Sequence, residues 1–170
     1  MKSLWFALFL ACASTTAVQA ETAANTTPIN LSGPRLGFTL LSNGFIDEVK
    51  ADHGVELQPL LTQFGWQHEK RFFTMSDGAT GVSEIILLLG GVEQGQFIPS
   101  ASWLIGMRSG SGVEFGMGPN LSPSGSAIVL AFGVTVQSEE INFPINFAAA
   151  MSDSGPRFSI LFGFNIREYY

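Results

Sequence analysis

The chain has 170 residues, with 14 Asp and Glu against 8 Lys and Arg and a net charge of −6, a balance that argues against a nucleic-acid or anionic-lipid binding surface. Charged residues are 13 % of the sequence, against about 25 % in ordinary soluble domains, and mean hydropathy is positive. Beyond the N-terminus no apolar run is long enough for a helical span, which takes about 20 residues; a chain that meets hydrocarbon must then close its strands into a barrel, because every backbone polar group needs a partner.

Lys2 precedes the apolar run Leu4–Ala11 and then small residues ending at Val18-Gln19-Ala20, the layout of a secretory signal. Residues 1–20 are read as a signal peptide cut after Ala20. Cys12 sits too early in the run for lipidation and leaves with the signal, so the mature chain carries no cysteine for disulfides or thiolate metal sites. Removing Lys2 leaves seven basic residues against fourteen acidic ones. Residues 21–34, rich in Ala, Thr, Asn and Pro, are expected to form a flexible periplasmic leader.

From Arg35 to Tyr170 short runs of period-two alternation are separated by Gly, Ser, Asn, Asp and Pro clusters, as in successive antiparallel hairpins. Leu36, Phe38 and Leu40 mark a first strand, and Phe64 with Trp66 a second within Leu60 to Thr74. Val82 to Leu89 is apolar on both faces and reads as a doubly buried strand. Ala101, Trp103, Ile105 and Met107 then oppose Ser100, Ser102, Gly106 and Arg108, and Val113, Phe115 and Met117 oppose Gly112, Glu114, Gly116 and Gly118. The same division holds for Ile128 to Val136 against Ala127, Ala131, Gly133 and Thr135, for Ile141 to Phe147 against Asn142, Pro144 and Asn146, and for Phe158 to Ile166 against Ser159, Gly163 and Asn165.

One face is bulky and apolar, the other small or polar with few charges. A water-soluble barrel would carry many charges on its polar face, whereas a narrow lumen suits Gly, Ala, Ser and Asn with the apolar face turned to lipid. The expected fold is therefore an all-β, antiparallel up-and-down transmembrane β-barrel of about eight strands in the bacterial outer membrane, with its lipids as surroundings. With both termini periplasmic, outer loops fall near Ser42 to Gln58, Gly91 to Pro99, Pro119 to Ser126 and Met151 to Pro156. Inner turns fall near Ser76 to Thr80, Arg108 to Ser111 and Gln137 to Glu140.

The run NFPINFAAAMSDSGPRFSILFGFN at Asn142 to Asn165, with the ending REYY, resembles the closing hairpin of small porin-family outer-membrane proteins of Gram-negative bacteria. That resemblance implies insertion by the barrel assembly machinery, reading an assembly signal over Phe162, Phe164, Ile166 and Tyr170, and implies no catalytic residues. Glu168, two before Tyr170, departs from the alternate apolar residues usual in that signal.

Little else suggests chemistry. His68 shares parity with Phe64 and Trp66 and is expected on the lipid face; His53 lies in the acidic segment Asp47 to Glu56, which matches no calcium-loop spacing and reads as a solvated loop with one helical turn stopped by Gly54. The glycines of 110–118 suit turns and lumen packing rather than a phosphate loop. No catalytic residue, metal or cofactor is expected. By parity Arg35, Glu69, Arg71, Glu84, Arg108 and Glu114 point inward, where charges persist only when paired. They form a plug, or line a narrow gated pore. The expected role is structural or interactive, with loops meeting extracellular partners; a small-pore channel and a soluble periplasmic barrel holding an apolar ligand are the alternatives.

Overall fold

A computed structural model describes residues 30–138 and 141–166. The expected signal peptide, the first part of the expected leader and Tyr170 lie outside the described residues. Eight long strands follow one another: β1 (Gly33–Leu41), β2 (Leu60–Thr74), β3 (Thr80–Gly90), β4 (Ile98–Arg108), β5 (Val113–Ser122), β6 (Gly125–Gln137), β7 (Ile141–Met151) and β8 (Arg157–Gly163). Each pairs antiparallel with the next, and β8 pairs back onto β1 from Arg35 opposite Gly163 to Leu41 opposite Arg157. After Phe164 the pair Asn165–Ile166 continues the closing edge against β7. The result is a closed up-and-down β-barrel of eight strands, in which neighbouring strands satisfy the backbone ladder without a free edge.

Side chains divide as the alternation demands. Leu36, Phe38, Phe64, Trp66, Trp103, Phe115, Phe132, Phe147 and Phe162 all point outward and are exposed. Inward positions carry Arg35, Thr39, Gln63, Gln67, Glu84, Arg108, Glu114 and Asn120, all buried. In β3 the doubly apolar run resolves into two environments: Ile85 and Leu87 face out, while Ile86 and Leu88 line the interior. It is not buried on both sides.

Three connections differ from the sequence expectation. The segment 43–53, expected to hold one helical turn, is a helix, α1 (Asn43–His53). Ser42 caps it by accepting from the Phe45 amide at 3.4 Å, and Gly54 ends it at φ 67°, donating its N–H to the Lys50 carbonyl. Phe45 and Val49, four residues apart, turn the same face down onto the barrel. The expected outer loop Pro119 to Ser126 is instead strand up to Ser122, leaving only Pro123 and Ser124 as the turn before β6. Pro119 sits in β5 as an exposed, outward residue. Finally, the last residues of the expected leader are placed on the barrel: Leu31 is fully buried, and β1 begins at Gly33.

Candidate functional site in the barrel interior

The interior has three levels, from the end that carries the β2–β3 and β4–β5 turns to the end that carries α1. The first is a charged layer centred on Arg108. Its Nη1 and Nη2 donate to Glu69 Oε1 and Oε2 at 2.9 and 2.6 Å, a two-pronged fit of guanidinium to carboxylate. Nε and Nη2 donate to Glu114 Oε2 at 2.8 and 2.7 Å, and Nη2 also lies 3.4 Å from Glu84 Oε1. Thus one cation touches three carboxylates. Gln67 Nε2 donates to Glu84 at 2.8 Å, and Asn146 Nδ2 donates to Glu114.

Arg35 adds the second cation. Its Nε donates to Gln67 Oε1 at 3.0 Å and its Nη2 to the Leu31 carbonyl at 2.6 Å. Arg35 therefore reaches the carboxylates through an amide and pins the chain that enters the barrel. Ser32 Oγ accepts from the Glu69 amide at 2.9 Å, and Asn165 Nδ2 donates to the Ser32 carbonyl. Two glycines make room for this layer. A Cβ at Gly163 would run into the Arg35 guanidinium, and one at Gly133 would strike Glu114 and Asn146.

Five of the six residues expected inside, Arg35, Glu69, Glu84, Arg108 and Glu114, are brought into one network. Arg71 is not among them: it is exposed at the rim, next to a register shift between Arg71 and Phe73 where β2 runs on past the charged layer.

The second level is a cavity of about 70 Å³. Val129 and Leu161 supply apolar wall, Ser100, Ser102, Asn120 and Arg157 supply polar wall, and Glu84 and Glu114 of the charged layer also line it. The third level is an apolar lid. Phe45 and Val49 of α1 pack on Leu41, Leu57, Leu61 and Ile98 at the barrel mouth. The Phe45 ring lies 4.6 Å from the Arg157 guanidinium carbon, a cation–π contact. At the far end of the helix His53 Nε2 donates to the Pro123 carbonyl at 3.2 Å, so α1 bridges the mouth from β1 to the β5–β6 turn.

Sequence reading missed α1 as a lid, and missed Gln67, Asn120 and Arg157. Parity was enough to place Arg157 inside, since Phe158 beside it faces out. Outside the barrel, His68 is exposed with its ring 6.3 Å from that of Trp66. Phe162 and Phe164 are exposed on the outer wall; Ile166 is placed in strand by its backbone.

On α1 Lys50 Nζ meets Glu56 Oε1 at 2.7 Å; the pair is solvent-exposed, and it raises the lysine pKa while lowering that of the glutamate. In the short 3₁₀ turn Val92–Gln94, slight burial opposes ionisation of Glu93, but hydrogen bonds from the Thr62 hydroxyl and amide outweigh it and hold the carboxyl below its usual range. Among the described residues no group of three or more His, Cys, Asp and Glu is arranged to hold a metal ion. Compared with models of known families, with curated proteins and with solved structures, the chain gives no match.

Proposed function

We propose that the protein is an outer-membrane barrel with a structural or interaction role, its termini in the periplasm, its lumen plugged by its own side chains and its α1 end presented to the outside. One observation carries the reading: the usual relation of burial to polarity is inverted. Among the described residues thirty large hydrophobic side chains are exposed, while the interior holds thirteen buried polar or charged residues against twelve buried hydrophobic ones. The exposed set encircles the barrel on every strand, whereas a water-soluble monomer rarely shows contiguous apolar patches above a few hundred Å². Lipid is the solvent that suits such a wall.

The Arg108 network and α1 support a closed lumen rather than a channel, since eight strands leave an interior that side chains can fill. The apolar-ligand alternative is disfavoured by size: the cavity of about 70 Å³ is well below the roughly 300–1,000 Å³ of ordinary ligand pockets. Two measurements test the proposal. In cells the mature protein should sediment with the outer membrane and migrate faster on SDS gels before boiling than after. Purified protein in planar bilayers should give no steady conductance. Large, stable conductance steps would refute the plugged lumen, and recovery in the soluble periplasmic fraction would refute the membrane address.

A further inference from the structure

Arg157 is a buried cation without a carboxylate partner among the described residues. It is 7 % exposed, and the interior carboxylates Glu69, Glu84 and Glu114 all gather on Arg108 instead. A guanidinium only donates. Nη2 donates to Asn120 Oδ1 and Nη1 to Ser122 Oγ, each at 3.0 Å. Nε finds no acceptor among the described residues.

These contacts fix the direction of the bonds that follow. Because Asn120 Oδ1 must accept from Arg157, the other end of that amide, Nδ2, is the atom that reaches Ser100 Oγ at 2.8 Å and Ser102 Oγ at 2.9 Å. Both serine oxygens are therefore acceptors. Each keeps a hydroxyl proton that it gives to no protein group among the described residues. Arg157, Ser100 and Ser102 line the same cavity, so its α1 end presents donors and a positive charge; Glu84 and Glu114, which also line it, are held on Arg108 in the charged layer.

We propose that this cavity binds one small monovalent anion, a halide or a short carboxylate, between the Arg157 guanidinium and the hydroxyls of Ser100 and Ser102. A desolvated cation needs a counter-charge, and hydroxyl protons aimed at the same space select an acceptor. The single positive charge sets the valence. A dianion would leave one charge uncompensated in a cavity that Val129, Leu161 and the carboxylates Glu84 and Glu114 also line. The volume sets the size, and Phe45 of α1, stacked on the guanidinium, closes the site from above. The inference does not depend on whether the barrel stands in a membrane.

The test uses the mature protein folded in zwitterionic detergent. Its urea unfolding midpoint is followed while sodium sulfate is replaced by sodium chloride, or by sodium acetate, at constant ionic strength. An anion that binds only the folded state stabilises it logarithmically above its dissociation constant. The wild-type midpoint, taken relative to that of Arg157→Gln, should climb with chloride or acetate, and the two series identify which anion is preferred. Ser100→Ala with Ser102→Ala, which keeps the cation, should move half-saturation to at least ~10-fold higher anion, since each lost bond to a charged partner is worth about a factor of ten or more. A wild-type midpoint that moves in parallel with that of Arg157→Gln, or does not move in either series, would overturn the site. Should Arg157→Gln fail to fold, an unchanged half-saturation in the serine double variant would overturn it equally.

Discussion

Replacing Arg108 with methionine removes the group on which the charged layer converges. In the wild type Arg108 and Arg35 face Glu69, Glu84 and Glu114, and Arg108 alone makes direct ion pairs with all three carboxylates, at 2.6, 3.4 and 2.7 Å. After Arg108→Met, three carboxylates share the interior with Arg35, whose Nε is committed to Gln67. Removing one partner of a buried pair costs about 3–5 kcal/mol because the other charge is left unsatisfied. With Glu69 losing both its guanidinium bonds and Glu114 both of its own, the upper part of that range is expected.

The same reasoning predicts a rescue. Adding Glu69→Gln and Glu114→Gln leaves Arg35 to balance Glu84, and neutral replacement of buried ion networks is often close to neutral in stability. The triple variant should recover to within about 2 kcal/mol of wild type. Equilibrium urea unfolding in detergent, followed by tryptophan fluorescence, gives both values. If the triple variant is no more stable than Arg108→Met, the loss does not come from stranded carboxylates and the network argument fails.

Other expectations follow from the same geometry. Phe162→Asp places a charge on the outer wall and should impair insertion far more than Ser159→Asp, which faces the interior beside Thr39; at mid-membrane such a charge costs about 2–4 kcal/mol for Arg or Lys and less for Asp, and greater damage from Ser159→Asp in a vesicle-insertion assay would reverse the assigned facing. Phe45→Ala removes a ring that is 1 % exposed, a change worth about 3–5 kcal/mol if the packing is fully lost. Because α1 can lift without unzipping strands, it should speed proteolysis within 43–58 while the heat-modifiable band persists; unchanged cleavage would deny the lid. Glu93 titrates below its ordinary value of 4.5, so its hold on β2 is complete above that value and is lost as pH falls through the lower folded pKa. Amide exchange at Thr62, after correction for intrinsic rates, should accelerate on that descent and lose its pH dependence in Glu93→Gln; protection that stays flat in the wild type would contradict it.

The barrel was legible because its two environments are so different. Phe115 and Met117 against Glu114 and Gly116, or Phe162 and Phe164 against Gly163 and Asn165, can be sorted by parity alone, and parity also turned Arg108 and Glu114 inward. What parity does not carry is convergence across the barrel: Glu69 and Glu84 lie on other strands, and their meeting at Arg108 depends on strand stagger and on room left by glycines such as Gly133. Arg71 shows the limit from the other side, since a bulge and the end of the lumen both intervene. The lid was hidden by the charges of Asp47, Glu48, Lys50 and Asp52, which mask the Phe45–Val49 stripe. Pro119 and Asn120 read as turn formers, yet Asn120 is an interior residue that orients two serines.

The central claim is that the outer wall faces lipid, and the tryptophans test it most directly. The described residues hold two, Trp66 and Trp103, both outward and 45 % and 54 % exposed. Folded into vesicles whose acyl chains carry bromine, the protein should lose most of its tryptophan emission and resist quenching by iodide from the aqueous phase. Emission that is untouched by brominated lipid but quenched by iodide would show that the apolar wall does not meet the bilayer.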